Sequence, residues 1–199
     1  MKKLLSILLA VTLLISCLSA IAEESAAPGE LGENQILMHG YMSPYRRYYI
    51  GVPAEWALIG AGSTPENITQ AYDIVDDDIS GIVSQMSADN DILFAVSAAG
   101  ENLVLTYGSA EGASNDSLID EIEAFKNVLI ANYPGIKLAD DCGTYSYNGV
   151  VDIMYIGANY NGHSIRQYYL ASGTILYIFT FSGVSKEIAE TVLSTFNVE

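Results

Sequence analysis

Hydrophobic positions repeat along the chain with two periods, and each period predicts a type of element. Between Ile68 and Met86 apolar residues recur at steps of three and four, which is the spacing of an amphipathic helix stripe. The segment 63–66 (STPE) provides a hydroxyl cap and a proline in the first turn, both typical of a helix start. Comparable stripes predict a second helix over 117–133 and a third that begins after Ser185.

The second period is that of β-strands. Short runs rich in aromatic and β-branched residues predict strands over 48–52, 92–97 and 102–107. The first of these strands ends in Pro53, and Trp56 follows it. We expect the Trp56 ring to be buried where the first strand meets a helix.

Hairpin-turn signals divide the C-terminal part of the chain. Asn148-Gly149 and Asn161-Gly162 fit two-residue turns, because asparagine and glycine tolerate the positive φ of a type I′ turn. Ser172-Gly173 is a third such signal. The turns predict a four-stranded antiparallel meander with strands over 141–147, 150–160, 163–171 and 174–181.

The last strand of this meander, TILYIFTF, is apolar on both faces. This composition indicates that the sheet is covered on both sides. Three amphipathic helices are available to provide the cover. We therefore predict an α+β fold, in which a twisted antiparallel sheet of about six or seven strands, including the meander, is sandwiched by about three helices.

The N-terminus has the three parts of an export signal. Lys2-Lys3 is the basic start, an apolar run extends to Leu18, and 20–22 (AIA) is a small-x-small cleavage site. In a second interpretation 14–17 (LISC) is a bacterial lipobox, and Cys17 carries a lipid anchor. Both interpretations predict an exported protein, either secreted or held at the membrane by lipid.

These features divide the chain into a signal peptide over 1–22, a flexible acidic lead-in over 23–44 and a single domain over 45–199. No segment after the signal is long and apolar enough to predict a transmembrane helix in the mature chain.

The charge balance excludes some classes of partner. The signal contains two lysines and no acid, so residues 23–199 hold six basic and 24 acidic side chains, a net charge of −18. So negative a body argues against binding to nucleic acid or anionic lipid, which are polyanions. Half of the residues are hydrophobic and 14 are tyrosine, a composition that is incompatible with intrinsic disorder.

The hairpin turns also predict which side chains share a sheet face. With two-residue loops, Tyr155 lies opposite Tyr168, Tyr168 lies opposite Tyr177, and Cys142 lies opposite Tyr155. Arg166 shares the same face. Three tyrosines beside an arginine form a candidate site for a sugar or an acidic group, which they would bind by stacking and charge-assisted hydrogen bonds.

A structural interpretation competes with this site. Arg166 is predicted to lie between Gly157 and Phe179 on a face that a helix covers, so the rings would be core and the arginine would reach outward to an acid. Arg46-Arg47, beside Tyr45 and Tyr48, is a second and weaker basic patch, interpreted as a solvated strand entrance.

Candidate metal chemistry is limited to one acidic run. Residues 76–81 (DDDISG) partly match a calcium loop, but Ser87 stands where a bidentate acid is required. The run also lies inside the first helix stripe, so a solvated helix face is the favoured interpretation. We predict no metal ligand and no cofactor.

Candidate catalytic chemistry is equally thin. The sequence contains no Gly-x-Ser-x-Gly elbow, His-Glu-x-x-His motif or P-loop. His39 falls in the lead-in, His163 follows a hairpin turn, and Cys142 is the one cysteine left after the signal. A lone cysteine is more often a small buried hydrophobe than a nucleophile. We predict no catalytic residue.

Four segments carry a resemblance to a known family. A first strand that closes in Pro-x-x-Trp (49–56, YIGVPAEW) is followed near the C-terminus by 167–169 (QYY), 177–180 (YIFT) and 194–196 (STF). Together they resemble the PsbP-like fold of a photosystem extrinsic subunit and of DcrB-type bacterial envelope proteins, over about residues 48–198. The resemblance implies an α/β/α sandwich built on an antiparallel sheet, and it implies no conserved catalysis.

These observations favour an exported bacterial protein that acts as a non-catalytic binding or accessory module, with a protein or small-molecule partner. A calcium-dependent adhesion module is one alternative. A hydrolytic enzyme of unrecognised type is the other.

Overall fold

The computed structural model describes residues 38–61, 63, 68–69, 71 and 92–198. The predicted signal peptide with Cys17, the acidic run 76–81 and most of the first predicted helix lie outside the described residues.

Eleven strands and three helices make up the described part of the chain. In chain order they are β1 Met38–Met42, β2 Tyr48–Pro53, β3 Ala57–Ile59, β4 Leu93–Val96, β5 Asn102–Ser109, α1 Asn115–Asp120, α2 Ile122–Asn132, β6 Lys137–Leu138, β7 Gly143–Tyr147, β8 Val151–Tyr160, β9 His163–Ser172, β10 Ile175–Ser182, α3 Lys186–Thr195 and β11 Asn197–Val198.

The strands form two antiparallel sheets. The large sheet has eight strands in the order β3-β4-β5-β10-β9-β8-β6, with β7 also paired to β8, and the small sheet has the order β1-β2-β11. The predicted α+β class and the C-terminal meander are confirmed. The sheet is larger than predicted, and the small sheet is an addition that the sequence did not indicate.

Strand β1 corrects the predicted lead-in. Residues 38–42 fall inside the segment 23–44 that was expected to be flexible, yet they pair along their whole length with β2, from Met38 opposite Pro53 to Met42 opposite Tyr49. The acidic, small-residue composition that suggested flexibility ends before Met38. His39 therefore lies in a strand.

The large sheet is buried on both faces, as its apolar strands predicted. One face packs against α3 and the small sheet, with Val192, Phe196 and Ile50 among the buried residues of that core. Trp56 belongs to the same core, as expected. The other face packs against α1 and α2 through Phe125 and Leu129.

The predicted second helix is interrupted. Its N-cap is Ser114, three residues before the predicted start, and the Ser117 hydroxyl completes a capping box with Ser114. Glu121, with φ −92° and ψ 6°, separates α1 from α2. The helix therefore starts earlier than predicted and consists of two pieces.

The register of the meander was predicted correctly at one of its three turns. Across Asn161-Gly162, Tyr155 lies opposite Tyr168, as expected. At the next turn the loop is Gly173-Thr174, and Tyr168 lies opposite Phe179 rather than Tyr177. Gly173 has φ +60°, and glycine at the first loop position is typical of a type II′ turn. The slip is two residues, so Tyr177 keeps the predicted face.

The β7–β8 turn slips by one residue, which exchanges the faces of β7. Val150 is an extra loop residue, 84% exposed, so Tyr147 pairs with Val151 and Gly143 lies opposite Tyr155. The prediction that Cys142 lies opposite Tyr155 is therefore wrong. In its place Tyr147 faces the α3 core, where its hydroxyl donates to the Phe196 carbonyl.

Candidate functional site

The predicted tyrosine site lies in the core. Tyr168 and Tyr177 are fully buried and Tyr155 is 4% exposed. The Tyr155 and Tyr168 ring centroids are 4.8 Å apart, and the Tyr177 ring packs edge-on against Phe196 at 5.0 Å. These rings face α3 rather than solvent, so they offer almost no surface on which a ligand could stack.

Arg166 is a brace between strand β9 and helix α3. Its Nη1 donates to the Ser164 hydroxyl at 3.2 Å and to the Val184 carbonyl. Val184 directly precedes Ser185, whose hydroxyl caps α3. Arg166 lies opposite Gly157, as predicted, but opposite Phe181 rather than Phe179. The structural interpretation expected the Arg166 guanidinium to pair with an acidic side chain. Among the described residues, it instead donates to a backbone carbonyl and a hydroxyl.

Burial controls the protonation of this core. It raises the pKa of the Tyr168 hydroxyl far above its usual value, although the nearby Arg166 opposes the rise. Burial also raises the pKa of Tyr155. At the edge of the cluster Lys186 lies 5.3 Å from the Tyr155 ring centroid. A hydrogen bond from Lys186 to Asp141, at 2.9 Å, raises the lysine pKa. The cluster therefore favours neutral tyrosines.

Cys142 and His163 do not form a catalytic pair. The half-buried Cys142 thiol donates to the Gly157 carbonyl at 3.2 Å. His163 pairs with Tyr160 at the β8–β9 turn. Tyr160 lies three positions after Gly157 along β8, so the two residues are about 10 Å apart at the rise of a strand. No hydrogen bond links the thiol to the imidazole in the described chain.

An exposed patch on the β1–β2 hairpin is the strongest candidate surface. Met42 and Tyr45 are each 51% exposed and Tyr49 is 40% exposed. Met42 lies directly opposite Tyr49 in the strand pair, and Arg46 and Arg47 stand in the connecting loop with Tyr45. We call these five residues the tip surface.

Local hydrogen bonds fix the shape of this loop. The Ser43 hydroxyl accepts from the Tyr45 amide at 3.2 Å and from the Arg46 amide at 2.9 Å. The Ser43 amide donates to the Tyr48 carbonyl at 2.9 Å and closes the loop. Hydroxyl-to-backbone bonds of this kind are typical of serine-centred turns. The loop is therefore preorganised.

The two arginines of the tip surface are held differently. The Arg46 guanidinium carbon lies 4.3 Å from the centroid of the Tyr107 ring on β5, which is cation–π geometry. Arg47 is exposed and has φ +52°, in the left-handed region. Neither guanidinium pairs with a carboxylate of the described residues. Within the described residues, no acid neutralises either charge, and Arg47 is the more exposed of the two.

A glycine positions the Tyr49 ring. A Cβ atom built on Gly40 would lie 2.3 Å from Tyr49 Cε2, far inside van der Waals contact. The ring therefore lies against the β1 backbone, and only glycine permits that approach. Tyr49 is thus fixed while part of its ring faces solvent.

The sequence identified only part of the tip surface. Arg46, Arg47 and Tyr45 belong to the basic patch that was interpreted as a solvated strand entrance, but Met42 and Tyr49 were missed. Side chains alternate between the two faces of a strand, so the predicted strand 48–52 already contained the signal that Tyr49 and the buried Tyr48 point to opposite faces.

The described residues contain no group of three or more His, Cys, Asp or Glu side chains arranged to hold a metal ion. Within the same part of the chain, no helix combines the length and the apolar character needed to cross a membrane.

Comparisons with known proteins give likenesses in fold alone. No protein-family model matches the chain, and no curated protein matches it. Solved structures similar to it include a Bacteroides thetaiotaomicron protein, with 13% identity, a TM-score of 0.43 and coverage of 80% of this chain and 48% of that one. The chain thus spans about half the length of that protein.

Two further structures are similar over most of both chains. Cyanobacterial PsbP (CyanoP) from Synechocystis has 14% identity and a TM-score of 0.43, and the match covers 86% of this chain and 98% of that one. LpqN, which is involved in cell envelope biogenesis of Mycobacterium tuberculosis, has 12% identity and a TM-score of 0.42, with coverage of 81% and 90%. The predicted resemblance to PsbP is confirmed, and likenesses of this size carry no inference about a ligand or partner.

Proposed function

We propose that this chain is an exported, non-catalytic binding module of the cell envelope or extracellular space, and that it docks a partner protein on the tip surface. One observation carries the proposal: Met42, Tyr45 and Tyr49 are exposed together beside two arginines that make no ion pair within the described chain.

The composition of the tip surface is that of a protein interface. Tyrosine, methionine and arginine are enriched in interface centres, and tyrosine and arginine are frequent energetic hot spots. Scattered exposed apolar residues need no explanation, but Met42 and Tyr49 are directly paired across two strands. Their common position makes a patch.

Preorganisation also supports docking at this hairpin. Ser43 fixes the loop, Gly40 admits the Tyr49 ring, and Tyr107 holds Arg46. Side chains that are already fixed lose less conformational entropy when a partner binds.

The other candidate sites receive less support. Ligand binding by Arg166, Tyr155, Tyr168 and Tyr177 stays a prediction, and the packing of the rings against α3 leaves little ring surface accessible. Calcium-dependent adhesion depends on residues 76–81, outside the described part. A hydrolytic role for Cys142 has no support from its bond to a backbone carbonyl.

Export and anchoring belong to the same proposal. The signal over 1–22 supports secretion, and the lipobox interpretation of Cys17 is the alternative. Intact-mass measurement on exported protein tests both, because cleavage after Ala22 and a diacylglycerol adduct on Cys17 give different masses.

Site-specific photo-crosslinking in the producing cells tests the docking surface. A benzophenone amino acid replaces Tyr45 in one chain and Val150, the exposed residue of another hairpin, in the control. We expect a discrete protein adduct from position 45 and none from position 150. Equal labelling from the two positions, or no adduct at position 45, would contradict the proposal.

A further inference from the structure

We infer that the partner presents an acidic segment to the tip surface, and that Arg47 pairs with one of its carboxylates. This inference rests on the proposed function and adds the chemistry of the partner to it.

The distribution of positive charge supports the inference. Three of the six basic side chains in residues 23–199 are engaged within the chain. Lys126 pairs with Glu123 at 2.8 Å, Lys186 pairs with Asp141 at 2.9 Å, and Arg166 donates to a backbone carbonyl. The two adjacent arginines of the tip surface make no such pair in the described chain, although acids outnumber bases four to one after the signal. They are the one pair of adjacent basic side chains among residues 23–199.

The backbone of Arg47 gives a second, independent observation. Three described non-glycine residues have positive φ, and the other two are Asn148 and Asn161 in hairpin turns, where asparagine is common. In the left-handed region the Cβ atom of an arginine lies too close to the following carbonyl oxygen, so the conformation is unfavourable. A role for the guanidinium explains why a long cationic side chain stands at such a position.

Guanidinium chemistry identifies a carboxylate as the matching group. A planar guanidinium donates two parallel hydrogen bonds to a carboxylate, which a lysine does less well. Arg46 is held over the Tyr107 ring and adds to the local positive charge, while Arg47 is exposed in the loop. Exposed Tyr45 and Met42 give the partner segment apolar contacts beside the charge.

Charge also argues against other occupants. In a symmetric dimer through the tip surface, the arginines of one copy would face those of the other, and two bodies of charge −18 would repel each other. An anionic membrane would attract the tip surface but repel the remaining body over a Debye length of about 8 Å. A protein segment with a few acidic residues carries less negative charge and contacts only the tip surface, so the body repels it less than it repels a membrane or a second copy.

The photo-crosslink from position 45 tests this inference when it is combined with charge variants. Arg47→Glu reverses the charge, Arg47→Lys retains it, and Lys137→Glu alters another exposed basic residue as the matched control. We expect the adduct to map to a protein segment with clustered Asp or Glu. Its yield should fall about tenfold in Arg47→Glu, as loss of about 1.4 kcal/mol implies, and should change little in the other two variants.

Restoring the pair completes the test. Changing the mapped partner carboxylate to lysine should recover the adduct of Arg47→Glu. An adduct to lipid, to a second copy or to a segment without acids would overturn the inference and leave export intact. A protein adduct that is insensitive to Arg47→Glu would overturn the inference and preserve the proposed docking. Absence of any adduct from position 45 would overturn the proposed docking as well.

Discussion

Two groups of tyrosines differ in position and in what they can do. The core tyrosines, Tyr155, Tyr168 and Tyr177, lie on the α3 face of the large sheet and are buried to 96% or more. The tip tyrosines, Tyr45 and Tyr49, lie on the first hairpin and keep 51% and 40% of their surface exposed. Both groups stand near an arginine.

The difference shows that two clusters of aromatic residues and arginine can have similar composition but different accessibility. Whether another element packs over the cluster decides whether a partner can reach it. At the core, α3 lies over the rings and Arg166 is used to hold the start of that helix. At the tip surface, Tyr49 lies on the central strand of the small sheet, Tyr45 and Arg47 lie in the β1–β2 loop, and all three side chains are exposed. The same residue types stabilise the fold in one place and form a binding surface in the other.

Truncation of a core tyrosine should have the largest effect. Tyr168→Ala removes a fully buried ring and should lower the free energy of unfolding by about 3–5 kcal/mol. Tyr45→Ala, its counterpart on the tip surface, should change it by no more than about 0.5 kcal/mol. Urea denaturation of both variants measures the contrast, and similar losses would remove the distinction between the two groups.

Alkaline pH should act on Tyr168 and on Tyr169, which is buried on the other face of the large sheet, through their raised pKa values. The Tyr168 and Tyr169 hydroxyls ionise in the unfolded chain near pH 10 but resist ionisation when buried. Neutral tyrosine is therefore favoured by folding, so this stabilisation is complete below about pH 10 and is lost above it, at about 1.4 kcal/mol per pH unit for each tyrosine.

We expect ionisation of these hydroxyls to leave the Tm unchanged up to pH 9. Above pH 10 the Tm should fall while tyrosinate absorbance rises. Tyr168→Phe is the control, and its decline should be shallower than that of the unmodified chain. Tyrosinate absorbance that appears well before unfolding would show that the core hydroxyls are accessible.

Removal of the brace should have an intermediate effect. Arg166→Met deletes the bonds to Ser164 and Val184 and should cost about 1.5–3 kcal/mol, a fall in Tm of several degrees. Crosslinking from position 45 should persist in the folded variant. If Arg166→Met left the stability unchanged but abolished the crosslink to the partner, Arg166 would be a binding residue rather than a structural one.

Replacing Arg47, whose backbone is left-handed, by glycine should have the smallest effect on stability. Unlike the other substitutions, it should stabilise the fold. Arg47→Gly should raise the free energy of unfolding by up to about 1 kcal/mol, because glycine adopts positive φ without strain. Asn161→Gly, at the same φ of 52°, is the matched control and should gain less. A destabilised Arg47→Gly would mean that the arginine is retained for the fold.

Local turn chemistry determined how much of the register could be predicted. Asn161 and Gly162 both take positive φ, so the β8–β9 pairing followed directly from their residue types. At 172–174 the glycine occupies the first loop position instead of the second, and at 148–150 the loop takes one more residue. A turn signal locates a hairpin, but the φ of each loop residue sets which side chains face each other.

The tip surface depends on contacts between distant segments, so it could be predicted only in part. Tyr107 orients Arg46 from a strand about 60 residues away, and β1 lies in a segment whose composition suggested flexibility. Hydrophobic periodicity predicted which elements form. The structural interpretation of the sequence expected a helix over the core tyrosines, as the structure has it. No signal in the sequence indicated that the first hairpin stays exposed.

Mapping of tyrosine modification tests the contrast between the two groups most directly. The folded chain is treated with a limiting amount of a tyrosine-nitrating reagent, and mass spectrometry of its peptides gives the rate at each site. We expect Tyr45 and Tyr49 to react about tenfold faster or more than Tyr155, Tyr168 and Tyr177, because the core rings react only after local opening. Comparable rates in the two groups would contradict the assignment of the tip surface, rather than the core tyrosines, as the binding face.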